Sequence, residues 1–522
     1  MKLTIEEIVA ATGALCDIHA GRGLTGSPLA PGSAMPKDKI PFWPGTVATS
    51  AVADSRKAGP GSLFCCLPGS RADGHEFAST AVQQGAVAVL AAKALPEIRD
   101  RAAVLVVPDV LKALGKLARF WRERCQATVV ALSGSAGKST VKEFLASILA
   151  QMGKTIKNPG NYNNQLGLPL SMLAADLSDQ FWVLELGISR KGDMEELAAM
   201  CEPDLAVVHN IGPAHLEGLG DLAGVAHAKA ALFGFVRKNG AAGAAGATGA
   251  AVLKNGVAIA NRDYPLLWEA AQKANVNVMP MSTTATDVPF HGHFVGLTAE
   301  GLGRYRLSFR ETPMDVVLPC QGAHLAENIL AAAAAAAMLG ATPDQIRAGL
   351  AQAATLPGRF TVMRAGRLTV IDDTYNANPL SMRASIEAAQ KLAQTLAQTP
   401  APKLTQEPAP KSAPSAPLML VLGEMGELGQ HAESAHEELG RMVAHSGCRT
   451  LFFKGEHAAQ VEQGLKHEGF AGEFRQVKSA DDFTALLKNL DIPEGVVLFK
   501  GSRKAGMEEF LEAWLAEHGG AR

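Results

Sequence analysis

The sequence predicts an α/β protein of three domains. Three observations carry that reading. Apolar, strand-like runs alternate with helical stretches along most of the 522 residues. A glycine-rich turn at 134–140 (GSAGKST) stands between one such strand and a helix with a single apolar stripe. Length allows roughly three to four domains at about 150 residues each. The expected domains are 1–122, 123–355 and 356–522.

In the first domain, residues 62–67 (SLFCCL), 86–91 (AVAVLA) and 103–107 (AVLVV) read as strands. Residues 21–45 are rich in Gly and Pro and read as a long loop. A helix over 110–124 leads onward. The second domain opens with a strand at 128–132, the glycine-rich turn and a helix. There Val141, Phe144, Leu145, Ile148, Leu149 and Met152 recur at helical spacing and form one buried stripe. Strands follow at 181–186 (FWVLEL) and 205–208 (LAVV). The alternation predicts a mostly parallel sheet with helices on both faces. Residues 240–249, almost all Ala and Gly, read as a connector or loose helix. In the third domain, 368–373, 418–423, 450–455 and 496–501 read as strands of another α/β unit. Residues 398–417, rich in Pro, Ala and Lys, read as an exposed insertion. No internal repeat stands out.

Composition narrows the function. A chain with 47% hydrophobic and 19% charged residues is neither wholly disordered nor a fibre. Lys and Arg number 49 against 51 Asp and Glu, a net charge of −2. No bulk basic field favours nucleic acid, so an anionic ligand needs a local site. Seven cysteines in this length make no disulfide framework, and no Cys/His metal spacing occurs. Cys65 and Cys66 read as buried thiols. The first residues carry Glu6 and Glu7 and do not read as a signal peptide. The Ala-rich run 329–339 is too short and too weakly apolar to span a bilayer. The expectation is a cytoplasmic, soluble protein in a reducing compartment. Nothing demands more than a monomer.

The chemistry concentrates in a few runs. Glycines at 134–140 let backbone N–H groups approach a phosphate, and the helix N-terminus adds partial positive charge. Lys138 suits the β- and γ-phosphate oxygens, and Ser139 or Thr140 suits Mg²⁺. The strict P-loop pattern asks for Gly five positions before Gly137, where Leu132 stands, so this is a shortened form. An ordinary turn competes with phosphate binding; the strand before and the helix after favour the phosphate. Glu185 ends an apolar strand. It either caps a helix, faces solvent at the sheet edge or binds Mg²⁺, and ligands of such sheets sit beyond the strands' carboxyl ends. His215 is expected at the same edge and alone carries little weight.

Lys229 shares an apolar stripe with Val225, Leu232, Phe233 and Val236. It is either a snorkelling lysine or one held near the metal with a lowered pKa. A neutral amine adds carbon dioxide to give a carbamate, an anion that ligates Mg²⁺ as a carboxylate does. Asn328, in a helix entry at 322–337 with His324, either packs or bonds a base edge. Arg359 (PGRF) lies near the second boundary. Asp373, in DDTYNANP at 372–379, sits either in a plain turn or on a ribose hydroxyl.

Together these runs resemble the Mur ligases of peptidoglycan synthesis, over most of the chain. Residues 54–90 resemble the family's UDP-sugar-binding first domain. GSAGKSTVKEF, GNYNNQLGLPL (160–170), ELGISRKGDM (185–194) and residues 210–230 resemble its ATPase domain. LPGRF, IDDTYNANPLSM, LGEMGELG (422–429) and FKGSRKAGME (499–508) resemble its third domain. NYNNQLGLPL, DDTYNANP and KGSR point to the branch that adds D-alanyl-D-alanine. The Asp-Asn-Pro-Arg motif of the branch adding the third amino acid is absent.

The resemblance implies a small α/β UDP-binding domain, a central P-loop parallel-sheet ATPase domain and a C-terminal Rossmann-like α/β domain. It implies ATP and Mg²⁺ as cofactors, UDP-MurNAc-tripeptide and D-Ala-D-Ala as substrates, and ligation through an acyl phosphate. By position, Gly134, Ser135, Ala136, Gly137, Lys138, Ser139 and Thr140 hold ATP. Ser139, Glu185, His215 and carbamylated Lys229 hold metal, and Lys138, Glu185, His215 and Lys229 form the catalytic set. Asn328 contacts adenine, Arg359 the phosphates and Asp373 the ribose. Ser55 and Arg56 meet the uridine nucleotide, Asn163 and Asn164 seat the muropeptide, and Lys500, Ser502 and Arg503 border the dipeptide. The stretches 21–45 and 398–417 look like insertions. Ala231 stands where the family often carries Glu, which bears on hydrogen bonding at the metal site.

Rival readings remain. A sister ligase or a folylpolyglutamate-type synthetase shares the core, but the first-domain run argues against the folate version. A nucleotide-binding regulator needs no pair of metal sites, which Glu185, His215 and Lys229 suggest. A P-loop kinase would release no free phosphate.

Overall fold

The computed structural model describes residues 1–17, 45–69, 72–238, 256–298, 302–309, 312–319, 322–354, 356–398, 417–487 and 494–518. The stretches expected at 21–45, 240–249 and 398–417 fall almost wholly outside these residues.

The described residues fold around three main sheets. The first has five strands in the order Leu15–Asp17, Ala103–Val106, Ala86–Ala91, Ser62–Cys65, Ser50–Val52. Four run parallel and Leu15–Asp17 pairs antiparallel. The three predicted strands are all present. Cys65 and Cys66 are buried, and burial pushes the Cys66 thiol up to about 12. The helix Val110–Arg124 starts where Asp109 accepts the Lys112 N–H at 3.0 Å. It runs through residue 122 and docks on the central sheet's helices. Trp121 Nε1 donates to the Ala175 carbonyl at 3.2 Å, and Arg122 forms a buried ion pair with Asp204 at 2.8 Å. Truncating either partner of such a pair strands the other charge, so this contact ties the first domain's exit helix firmly in place.

The central sheet has nine strands: Thr155–Lys157, Phe181–Glu185, Thr128–Ser133, Leu205–Val208, Val257–Asn261, Asn277–Ser282, Phe290–Leu297, Gly303–Phe309, Thr312–Leu318. The first seven run parallel; the last two join by antiparallel pairing. That edge departs from the expected sheet covered on both faces. Residues of its last two strands alternate buried and exposed, the pattern of a sheet solvated on one side.

The P-loop helix spans Lys138–Leu149, and its stripe residues Val141, Leu145, Ile148 and Leu149 are fully buried. Met152 lies beyond the helix end, half-buried against the same core. This stripe shares a core with the helix His324–Met338, whose alanines 331–336 are all buried. Their small side chains let the two helices approach closely, which brings Asn328 over the P-loop.

The third sheet has six strands: Thr361–Ala365, Leu368–Asp373, Gly495–Lys500, Leu418–Gly423, Cys448–Lys454, Glu473–Gln476. Only the first pairs antiparallel. The last two predicted strands, 450–455 and 496–501, are shifted by one or two residues. Among the described residues no helix is long and apolar enough to cross a membrane.

Candidate active site

The P-loop strand lies between Phe181–Glu185 and Leu205–Val208, with Leu132 opposite Glu185 and Ser133 opposite Val208. Their carboxyl ends therefore bring the P-loop, Glu185 and residues 209–215 to one edge, where ligands of such sheets bind. The C-terminal domain covers this edge. A cavity of about 700 Å³ lies between them, lined by Ser135, Ala136, Gly137, Lys138, Ser139, Thr140, Asn163, Asn164, Glu185, His215 and Asn328 from the central domain and by Arg359, Asp373, Tyr375, Glu427 and Lys500 from the C-terminal one.

The P-loop backbone is tightly specified. Gly137 caps the helix with φ 74°, and a Cβ there would lie 2.3 Å from Asn328 Oδ1. Asn210 Oδ1 accepts the N–H groups of Ser135 at 2.8 Å and Ala136 at 3.1 Å. Two lysines share one acceptor: the Gly134 carbonyl receives Lys138 Nζ at 2.9 Å and Lys229 Nζ at 3.0 Å. Burial lowers the Lys138 pKa although Glu185 raises it. Lys229 is held well below the usual lysine range, by burial first and by Lys138 second.

Ser139 is the junction of the site. Its hydroxyl donates to Glu185 Oε2 at 2.7 Å and accepts from Arg359 Nη2 at 2.9 Å. Asn163 Nδ2 donates to Glu185 Oε1 at 2.7 Å, and Lys142 Nζ lies 3.4 Å from Glu185 Oε2. Burial pushes the Glu185 pKa up, but Lys142, Lys138 and these hydrogen bonds outweigh it and hold the carboxyl below its usual value. An ionised carboxylate beside a hydroxyl is a hard oxygen pair that suits Mg²⁺. Thr140 lines the cavity beside it. His215, with φ 54°, starts the turn Leu216–Leu219, and its Nδ1 meets the Glu427 carboxylate. Lys229 has no oxygen donor as an amine; as a carbamate it would supply one.

Arg359 is presented by a turn that the C-terminal domain holds from several sides. Gly358 N–H donates to Asp372 at 3.2 Å, Phe360 N–H to Asp373 Oδ1 at 3.1 Å, and Tyr375 N–H to the Gly358 carbonyl at 3.0 Å. The Tyr375 ring lies 4.0 Å from the Arg359 guanidinium. Asp373 Oδ2 accepts from Ser385 and from Lys500, each at 2.6 Å. Asn378 Nδ2 donates to the Ser135 carbonyl at 3.0 Å and links this domain to the P-loop directly.

Not every expected residue meets the cavity. Gly134, at the start of the P-loop, and Lys229, bonded to its carbonyl, lie outside the lining. Lys229 is 1% exposed, so the snorkelling reading is corrected: its amine ends on a carbonyl inside the protein and never reaches water. Ser55 and Arg56 sit in a short 3₁₀ turn of the first domain, with Arg56 paired to Asp54 at 2.9 Å. Asn164 accepts the N–H groups of Leu166 and Gly167 at the start of the helix Gly167–Leu173. Ser502 is buried behind the wall, and Arg503 pairs with Glu508 on the surface.

Sequence reasoning missed Asn210, Lys142, Tyr375, Asn378 and Glu427. It also missed Glu327, which accepts from Tyr264 at 2.8 Å and from Asn210, and whose carboxyl burial pushes up to about 7. Lys142 had a signal, one helical turn after Lys138. Asn210 had one too, two residues past a strand end on the P-loop edge.

The sequence and the fold recur in known proteins. The sequence matches the Mur ligase middle domain over residues 132–336 and the Mur ligase family catalytic domain over 49–122. It is 35% identical to the UDP-N-acetylmuramoyl-tripeptide–D-alanyl-D-alanine ligase of Escherichia coli (strain K12), over 90% of this chain and 94% of that enzyme. The chain belongs to the Mur ligase family. Its fold agrees with crystal structures of Mur ligases. MurF from Acinetobacter baumannii superposes with a TM-score of 0.79 at 27% identity, covering 99% of each chain. MurF from Thermotoga maritima, in complex with ADP, gives a TM-score of 0.74 at 26% identity, over 90% of this chain and 98% of that one.

Proposed function

We propose that this Mur ligase joins D-alanyl-D-alanine to UDP-N-acetylmuramoyl-tripeptide, converting ATP to ADP and phosphate. The observation that carries the reading is the convergence on Ser139: a central-domain carboxylate and a C-terminal-domain guanidinium meet at one P-loop hydroxyl. A mere nucleotide binder needs no such bridge between domains. The kinship with the Escherichia coli enzyme, at 35% identity, supports the choice of substrates.

In the reaction, a tripeptide carboxylate oxygen attacks the γ-phosphorus of ATP and ADP leaves. The dipeptide amine then attacks the acyl phosphate carbon. An amide forms, phosphate leaves and one proton is released. The first step brings two anions together, so cationic groups must neutralise them. Lys138 and Arg359 do so from opposite domains, and the P-loop N–H groups hold the phosphates. Ser139 and Glu185 would hold one Mg²⁺, and His215 with Lys229 as its carbamate a second; bound there, the cations would supply further charge neutralisation. Asn328 contacts adenine and Asp373 the ribose; Asp373 must then share its carboxylate with Lys500. Ser55 and Arg56 meet the uridine nucleotide, and Asn163 and Asn164 the muropeptide. Lys500, Ser502 and Arg503 border the dipeptide. The enzyme acts as a cytoplasmic monomer.

The test is phosphate release from Mg-ATP with UDP-MurNAc-tripeptide and D-Ala-D-Ala, omitting each in turn. Release that needs both, with a UDP-linked pentapeptide by mass, is expected. Release that ignores the dipeptide and responds to a free amino acid moves the protein to a sister ligase. ATP binding without release favours a regulator.

A further inference from the structure

His215 and Glu427 stand on loops of different domains, and both adopt left-handed backbone conformations, with φ 54° and 61°. Neither is glycine. Such conformations are strained for residues with a Cβ and persist where the surroundings over-determine them, commonly at functional sites. The two loops lie against each other. The Glu217 N–H points to the Glu427 carbonyl at 3.4 Å, and a Cβ on Gly429 would lie 3.3 Å from the Glu217 Cα. At the centre, the Glu427 carboxylate meets His215 Nδ1. The pair is not a core contact: the side chains are 26% and 53% exposed. An exposed ion pair contributes little stability, so it does not by itself account for two strained residues.

Two other acidic groups of the site, Glu185 and Asp373, are already engaged. Glu185 is held by Ser139, Asn163 and Lys142, and Asp373 by Ser385, Lys500 and the Phe360 N–H. Glu427 instead addresses an imidazole. The contact is a close approach short of an aligned hydrogen bond, with Nδ1 itself buried; a neutral imidazole presents one N–H and one lone pair, and a carboxylate beside Nδ1 favours the proton there. That leaves Nε2 as the nitrogen able to take a cation, in a fixed ring orientation.

We propose that Glu427 is a positioning residue for the second divalent cation: from the C-terminal domain it fixes the tautomer and orientation of His215, so the cation site is complete only when the two domains are docked. The inference rests on the ligase reading for the assignment of His215 to a cation. It adds that this site is shared across the domain boundary, which couples cation binding to closure.

Two measurements on the full chain test it, neither using turnover. The first is the ¹⁵N shift of the His215 imidazole without metal. Wild type is expected to show the Nδ1–H tautomer, and Glu427→Ala a mixture. The second is Mn²⁺ titration, followed by electron paramagnetic resonance, in the presence of a non-hydrolysable ATP analogue. Glu427→Ala is expected to weaken one Mn²⁺ site by about 10- to 100-fold and spare the other. Glu427→Gln keeps an acceptor oxygen and is expected to recover most of that affinity and the tautomer. An unchanged tautomer with unchanged Mn²⁺ affinities in Glu427→Ala overturns the proposal. So does a Glu427→Gln as weak as the alanine variant, which would make Glu427 a ligand itself. If the tautomer and Mn²⁺ results hold but the parent chain forms no UDP-linked pentapeptide, the ligase reading fails and the positioning role stands.

Discussion

The central domain and the C-terminal domain contribute to the cavity in different ways. The central domain's share hangs on the ends of three adjacent parallel strands. Ser139, Glu185 and Asn210 are placed by strand register and by one helix whose residues Val141, Leu145, Ile148 and Leu149 are fully buried. The C-terminal domain's share sits partly on the ends of two adjacent parallel strands, at Asp373 and Lys500, and partly on three separate loops carrying Arg359, Asn378 and Glu427. Those loops are held by polar contacts and by residues with positive φ, Phe360 and Glu427 among them. One half is thus positioned by hydrogen-bonded sheet and apolar packing, which changes little. The other relies more on loops, which polar contacts within their own domain hold and whose side chains reach the P-loop edge across the domain boundary. Enzymes that must admit three substrates and then exclude water commonly divide a site in this way.

Variants can break or sharpen that contrast. Lys138→Ala should lower kcat by about 10³-fold or more, because a cation at the transferring phosphate is lost. Its melting temperature should stay near wild type, since the lysine's hydrogen bond is to Gly134 within its own loop; near-normal turnover would remove the P-loop from the mechanism. Arg359→Lys should cost about 10²-fold in kcat, because a lysine keeps the charge but neither the stacking on Tyr375 nor the planar fork. If only KM for ATP rises, Arg359 binds ground state and transition state alike, and the C-terminal half is a lid rather than a catalytic partner.

The third expectation concerns stability. Glu327 has a carboxyl raised from 4.5 to about 7, mainly by burial. A carboxyl raised on folding contributes stability that is complete below its unfolded value and is lost as pH rises through its folded value. Between about pH 5 and pH 8, wild type should lose up to about 3 kcal/mol relative to Glu327→Gln. Urea unfolding of both proteins at the two pH values checks this; parallel curves would mean that the carboxyl is not perturbed. The smallest effect is expected for Tyr375→Leu. Removing a cation–π contact of about 1 kcal/mol should lower kcat/KM about five-fold through a looser Arg359. The same loss in an Arg359→Ala background would show that Tyr375 acts on something else.

Much of the central half was legible in the sequence. The strand at 128–132, the glycine-rich turn at 134–140 and the helix stripe announce themselves by apolar runs and glycine, because local backbone preference and burial point the same way there. The acid ending the strand FWVLEL was suspicious for the same reason. Lys229 was legible as a position on a stripe, but its environment was not. Two opposite outcomes, snorkelling or full burial, share one pattern, and only its contact with Gly134 decides between them. The edge strands at 290–297, 303–309 and 312–318 went unread: the last two alternate in burial but the first does not, so no single period runs through them. Asn210 and Glu427 lay within motifs that could be quoted but not interpreted, since a loop carries no periodicity to show which side chain points inward.

The sequence by itself therefore determined the α/β alternation, the phosphate-binding turn, the order of the domains and the family. These depend on neighbours within a few residues or on short runs of distinctive composition. Tertiary structure alone decided that Arg359 reaches Ser139 across 220 positions of chain, that Asn378 reaches the P-loop, and that Glu427 faces His215. The reason is physical: such contacts arise from how two separately folded sheets dock, and docking is set by the shape and polarity of whole surfaces, which no local pattern records.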